Sequence, residues 1–414
     1  MSPATSPVQH YETPLLRDPA FLALWGVGAL NSTGRWLDML VIAIFVLDRT
    51  GSPFMVATML MLRLLPMALF GLFGGVVAHR FERWRILRLA SGCIALVALI
   101  IFALASLDAI QVWHLGVASF ISGLVWSTDF PVRRTLMSDI AGAPRVSRAM
   151  SIDILAGSGT RMLGPLIGGI LYQQIGLAGA FLLSVALYCL GLILLMISNR
   201  VTLDHSPPTQ SIRDNLRDGW RVFRDSETLP GILAVTVVFN VWGFPFVSMV
   251  PVFAKEVLGL NAAFTGFLVS AEGAGAFIGA LALSLFARSE HTRYYYLAAV
   301  LTYCIFALAF SLSTLIWLST LLLLAVGVVS AGFGAMQSAL VLMNSPTGFE
   351  RQMMGVLSVC IGTAPLGFLH IGLLANWLGA PMACAITAAE GVIAMLIVVW
   401  RWPDLLSMQR LHSA

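Results

Sequence analysis

Twelve apolar runs constrain this chain more than any other feature. Each is about 20 residues or longer, enough to cross the hydrocarbon of a bilayer as an α-helix. They fall near residues 20–47, 52–78, 86–107, 110–132, 149–173, 177–198, 229–254, 262–287, 293–312, 315–342, 352–376 and 380–401. Charged residues make up only 11% of the sequence and apolar residues 58%, whereas a soluble domain has roughly 25% charged residues. The chain is therefore expected to be an all-α, polytopic membrane protein with no soluble core domain.

The one long polar stretch inside the chain, residues 199–228, divides the runs six and six. It carries Pro207-Pro208, then a run in which Ile212, Leu216, Trp220 and Phe223 recur at helical spacing while Arg213, Arg217 and Arg221 take other faces. That pattern predicts an amphipathic helix on the membrane surface. The expected organisation is a tail over 1–19, a bundle over 20–198, the linker over 199–228, a second bundle over 229–401 and a tail over 402–414. The first 19 residues hold Glu12, Arg17 and Asp18 with no apolar core, so they do not read as a signal peptide.

Arginines orient the spans. Loops after even-numbered spans hold Arg80, Arg83, Arg85, Arg88, Arg133, Arg134, Arg145, Arg148, Arg288, Arg293 and Arg351; those after odd-numbered spans hold little beyond Arg49 and Lys255. The positive-inside rule puts both termini and the linker in the cytoplasm of a bacterial cell, with the chain in its inner membrane. The net charge of +4 is read as topology, with no nucleic-acid partner implied. Cys93, Cys189, Cys304, Cys360 and Cys384 lie in apolar runs without metal-ligand spacing, so they are expected to be free and buried, with no metal bound.

Ionisable residues deep in the spans are costly, about 2.5–3.5 kcal/mol each at the bilayer centre, and so mark candidate sites. Asn31, Arg35 and Asp38 share one face of span 1, and Arg63 lies at similar depth in span 2. Asp38 is expected to pair with Arg63, Arg35 or both, as a structural bridge or as a protonation switch. Asp153 and Arg161 share a face of span 5 with Gly157. Glu272 lies about ten residues into span 8 beside Gly273, Gly275 and Gly279, with no basic residue at its depth in that span. Proton coupling is assigned to Asp38 or Glu272, with Asp153 as a further candidate. Candidate cavity residues are Asn31, Arg35, Arg63, Arg161, Trp126, Asn240, Phe244, Gln337 and His370. Asp129 and Arg133, near the inner end of span 4, read as a gate or a snorkelling pair. An excess of unpaired arginine in the first half would favour an anionic, oxygen-rich substrate.

Gly164-Pro165-Leu166 in span 5 is echoed by Ala364-Pro365-Leu366 in span 11. An internal repeat around a midplane site is how many transporters alternate access. Three stretches now resemble the major facilitator superfamily. The loop after span 2, GGVVAHRFERWRIL, is similar to the family's Gly-x-x-x-Asp-Arg-x-x-Arg signature through Gly75, Arg80 and Arg83, with His79 in place of the acid. The run Gly164-Pro165-Leu166-Ile167-Gly168-Gly169 resembles the end of the antiporter signature. The stretch DRTGSPFMVATMLMLRLLPMALFGLFGG, with Pro346, Arg351, Gly355 and Pro365-Leu366-Gly367, is similar to the enterobactin-exporter-like branch.

The resemblance implies two pseudo-symmetric six-helix bundles of the major facilitator fold and efflux of a siderophore or amphiphilic drug against protons. It also implies a cytoplasmic gate built on Gly75, His79, Arg80 and Arg83, with which Asp129 and Arg133 are grouped by position; the small size of Gly164, Gly168 and Gly169 and the free carbonyl left by Pro165 are read as a packing face or a hinge. Loops for nucleotides and hydrolase constellations are absent from the sequence, so no catalytic residue and no cofactor is expected. The expected partners are a small-molecule substrate, protons and the lipid bilayer, with the protein a monomer. Rival readings are a broad multidrug exporter, an importer of an organic anion, and a membrane scaffold or sensor that transports nothing.

Overall fold

The computed structural model describes residues 14–80, 82–198, 217, 221–224, 226, 228–286, 291–346 and 348–406, excluding the side chains of residues 71–81, 143 and 351. Its long elements are helices α1 (Pro19–Thr50), α2 (Pro53–Arg80), α3 (Arg83–Ser106), α4 (Val112–Ala141) and α5 (Val146–Ile197) in the first half. The second half holds α6 (Leu229–Val238), α7 (Val250–Glu256), α8 (Ala262–Phe286), α9 (Thr292–Ser311), α10 (Ile316–Met343), α11 (Glu350–Ile361), α12 (Ala364–Leu378) and α13 (Ala380–Arg401). Among the described residues there is no strand. Eleven stretches are long and apolar enough to cross a membrane. One of them, α5, contains two crossings.

Helix α5 is 52 residues long and breaks at Gly176, whose φ of 74° lies in the left-handed region. A side chain there would carry a backbone penalty that glycine avoids. The chain reverses at this point, as its contacts with α1 show. Gly164 lies against Trp36, and Tyr172 bonds Asp48 farther along α1. On the return, Ser184 reaches Asp38 and Gly191 reaches Asn31. The expected spans 5 and 6 are thus an uncapped hairpin, which gives twelve crossings.

Two other spans are irregular. Span 7 runs from α6 through a π turn at Phe239–Gly243 and a 3-10 turn at Phe244–Ser248 into α7. Pro245 and Pro251 supply no backbone donor there, which suits a relaxed hydrogen-bond ladder. Span 11 breaks between α11 and α12, immediately before Pro365.

The two halves meet along two helix pairs: α5 with α8, and α2 with α12. Small residues permit the first. A Cβ on Gly169 would stand 2.5 Å from the Ala262 carbonyl oxygen, and one on Gly266 would stand 2.5 Å from that of Pro165. The sequence therefore needs glycine on both sides of this contact.

Several expectations change. Arg133 and Arg134 are not in a loop, because α4 runs on to Ala141. The five cysteines are free, but only Cys304 and Cys384 are buried, and Cys93 is exposed. Most of the expected surface helix, including Ile212, Leu216 and Trp220, lies outside the described residues. Of its described part, Val222 and Phe223 pack against the core.

Candidate substrate and coupling site

Asp38 is 4% exposed on α1. Its Oδ1 accepts from Ser184 at 2.5 Å and its Oδ2 accepts from Tyr188 at 2.7 Å. Ser184 and Tyr188 are four residues apart, so one face of the returning arm of α5 presents both. Gly34 makes room for the phenol; a Cβ there would lie 2.8 Å from the Tyr188 ring. The expected ion pair to Arg63 or Arg35 is not formed: no nitrogen of either stands within 4 Å of the carboxylate. Hydroxyl groups from span 6 occupy Asp38 instead. The sequence signal for this was two polar residues at helical spacing in an apolar run.

Arg63 is 5% exposed and donates no hydrogen bond, and its Nε is sealed without a partner. Tyr188, Asp38 and Arg35 lie within electrostatic range of it. Arg35 donates to Ser32 at 2.9 Å and lies 4.9 Å from the Trp126 ring centroid. Ser32 in turn accepts from Thr160 at 2.9 Å, which ties α1 to α5. Asn31 donates to Ser91 at 3.3 Å, while its Oδ1 is sealed and unpartnered.

Arg161 on α5 forms an ion pair with Glu272 on α8, joining the two halves inside the membrane. The side chains are 19% and 4% exposed. The guanidinium also lies 5.1 Å from the Trp36 ring centroid. Backbone proximity fixes this pair: a Cβ on Gly273 would meet Met162 N at 2.5 Å. Glu272 thus has a basic partner, but one supplied by the other half of the chain.

Toward the end assigned to the cytoplasm, Asp153 accepts from Arg133 at 2.6 Å and from Arg134 at 2.9 Å. The sequence expectation paired Asp129 with Arg133 on one helix. Instead Arg133 crosses to α5, and Asp129 Oδ1 is sealed without a partner. Arg83 bonds Asp139 at 2.5 Å. Gly75 lies in the last turns of α2. The side chains of His79 and Arg80 fall outside the described residues, so that part of the expected gate is not placed.

Gln337 donates to Thr236 at 3.3 Å, Tyr296 and Thr236 share a 2.7 Å bond, and Asn240 donates to the Thr236 carbonyl at 2.9 Å. Asn240 and Gln337 therefore belong to one buried network. Phe244 packs edge-on to Phe368 and joins Met39 and Leu60 of the first half. His370 lies apart, on the α12 stripe that holds the exposed Leu366, Leu373 and Trp377. It bonds Glu390 at 2.7 Å, and Trp242 donates to the same oxygen at 3.0 Å. In the hinge motif, Gly164 backs onto Trp36 and Gly168 onto Leu37.

The end holding Asp48 and Lys255 is bridged between the halves. Lys255 bonds Asp48, Tyr172 donates to Asp48 at 2.8 Å, and Gln173 accepts from the Ala262 N–H at 3.1 Å. Toward the opposite end, a Cβ on Gly157 or Gly355 would meet nothing within 4 Å. Among the described residues no cluster of His, Cys, Asp and Glu is suited to a metal.

Sequence comparison fixes the family. The transmembrane secretion effector model of the major facilitator type matches residues 12–410. The chain belongs to that family. It is similar to an uncharacterised major-facilitator-type transporter, YfiS, of Bacillus subtilis (strain 168): 21% identical over 408 residues, 94% of each chain. It also resembles a staphyloferrin A transporter of Staphylococcus aureus (strain NCTC 8325 / PS 47), 21% identical over 251 residues. That match covers 60% of this chain and 63% of the relative.

Solved structures share the fold. A POT family transporter in complex with 5-aminolevulinic acid gives a TM-score of 0.77 at 12% identity, covering 94% of this chain and 96% of the other. The nucleoside transporter NupG gives 0.72 at 13%, covering 92% and 99%. A bacterial homologue of the human lysosomal transporter Spinster, inward-facing and unoccupied, gives 0.67 at 14%, covering 93% and 95%. This member of the secretion effector family is accordingly a multi-pass membrane transporter of a small molecule, and its relatives are transporters, not enzymes.

Proposed function

We propose that this transporter exports a small amphiphilic compound from the cytoplasm by proton antiport, with a siderophore-like molecule as the favoured cargo. The reading places it in a bacterial inner membrane, both termini cytoplasmic, working as a monomer. The observation that carries it is the Arg161–Glu272 ion pair, which links the halves inside the membrane. Protonating Glu272 removes the charge that holds Arg161, so a proton and a change of half-to-half contact are coupled at one place. The staphyloferrin A transporter among the relatives supports the cargo class.

The test is proton-driven uptake into everted vesicles from cells expressing Glu272→Gln. Proton-driven accumulation is expected to be lost while substrate exchange down its own gradient persists. Wild-type accumulation by the variant overturns the coupling role. A broad amphiphile exporter is the second reading, favoured by the Trp36 and Trp126 ring faces beside Arg161 and Arg35. Deletion separates the two: intracellular siderophore accumulates under the first reading, and dye or antibiotic resistance falls under the second.

A further inference from the structure

Two guanidiniums inside the first half, Arg35 and Arg63, bond no carboxylate among the described residues. Arg161 is matched by Glu272, Arg133 and Arg134 bond Asp153, and Asp129 lies in the field of both Arg133 and Arg35 without bonding either. That leaves Arg35, Arg63 and Asp38 around one point. Asp38 has both carboxylate oxygens engaged by Ser184 and Tyr188. The two guanidiniums repel one another, and neither has a carboxylate within 4 Å. Each guanidinium carries five N–H donors; Arg35 spends one contact on Ser32, and Arg63 spends none. A buried charge without a partner is strongly unfavourable, so this arrangement is explained by an anion that arrives and leaves.

We propose that Arg35 and Arg63, beside the Trp126 ring, form a subsite for a carboxylate-bearing anion. This rests on the proposed reading of the protein as an exporter of a small amphiphile. Carboxylate suits the site because a planar guanidinium can hold both of its oxygens at once. The Trp126 face, already 4.9 Å from Arg35, offers an apolar wall for the rest of the molecule. Its indole N–H, buried without a partner, adds a donor beside Arg35. The substrate would then carry acidic groups at one end and an apolar or aromatic part beside them.

The experiment is calorimetric titration of the full-length protein in lipid nanodiscs with citrate, at constant ionic strength. Saturable binding is expected. Arg63→Gln should weaken it by about thirtyfold or more, the usual scale for losing one partner of a buried charged contact. Arg63→Lys should restore part of it, and binding of tetraphenylphosphonium should not change. Without ligand, Arg63→Gln should melt no lower than wild type, since it removes an unpaired charge; a purely structural Arg63 would lower the melting temperature. Equal citrate binding by wild type and Arg63→Gln, or no citrate binding by wild type, overturns the subsite. Inorganic phosphate binding as tightly as citrate overturns its assignment to carboxylates. Citrate binding without proton-driven transport would sink the export reading alone, and proton-driven transport of a cationic dye without citrate binding would sink the subsite alone.

Discussion

Asp38 shows how a single residue's meaning depends on what faces it. Its depth in span 1 marked it as costly, and Arg63 and Arg35 were the charged groups within reach on the sequence. The partners are instead the hydroxyls of Ser184 and Tyr188. If they hold the carboxylate, removing them leaves a buried acceptor unsatisfied, at about 1–3 kcal/mol each. Tyr188→Phe is expected to lower the melting temperature of the detergent-solubilised protein, and Asp38→Asn combined with it should cost less than the sum of the two. Additive losses would show that the contact contributes nothing. Glu272 carries the opposite lesson: its isolation within span 8 was visible, but its partner Arg161 was hidden in another helix.

At the level of elements, lengths and positions of the spans were legible because apolar length alone sets them. The ends of the helices were less so. Helix α4 continues nine residues past the expected boundary at 132, to Ala141, because arginines can leave hydrocarbon without leaving the helix. The reversal at Gly176 falls between runs ending at 173 and beginning at 177, as the apolar spacing predicted. There is open space around this glycine, and a methyl group added to its Cα would meet nothing within 4 Å. Gly176→Ala should therefore cost only its glycine-favoured backbone, about 1–3 kcal/mol, with transport preserved. Gly266→Val is the contrasting case, since the Pro165 carbonyl and the Gly169 backbone already occupy that space. It should fold with about 1–3 kcal/mol less stability and transport poorly, because α5 and α8 can no longer meet. Thermal melts and vesicle transport on the two variants check both statements.

Across the whole molecule, the two halves are fastened at one end by Lys255 to Asp48, with Tyr172 on the same carboxylate. These side chains are 45% and 37% exposed, so the ion pair is worth at most about 1 kcal/mol. That is enough to shift a two-state equilibrium about fivefold, using RT of about 0.59 kcal/mol. Lys255→Gln is expected to raise the population open at this end by no more than that factor, and high salt should mimic it in wild type. Spin-label distances across the Asp48 end would measure both. A larger change would mean that the latch carries more of the closure than its exposure allows.

The sequence by itself determined that this chain spans a membrane about twelve times, in two halves, with ionisable residues placed where they cost most. Those conclusions rest on apolar length and on the energy of charge in hydrocarbon, which are local properties. It could not determine which charge answers which, because that depends on helices brought together from far along the chain. Only the tertiary structure decided that Glu272 meets Arg161, that Asp153 meets Arg133, that hydroxyls take Asp38, and that Arg63 is left with no hydrogen-bond partner.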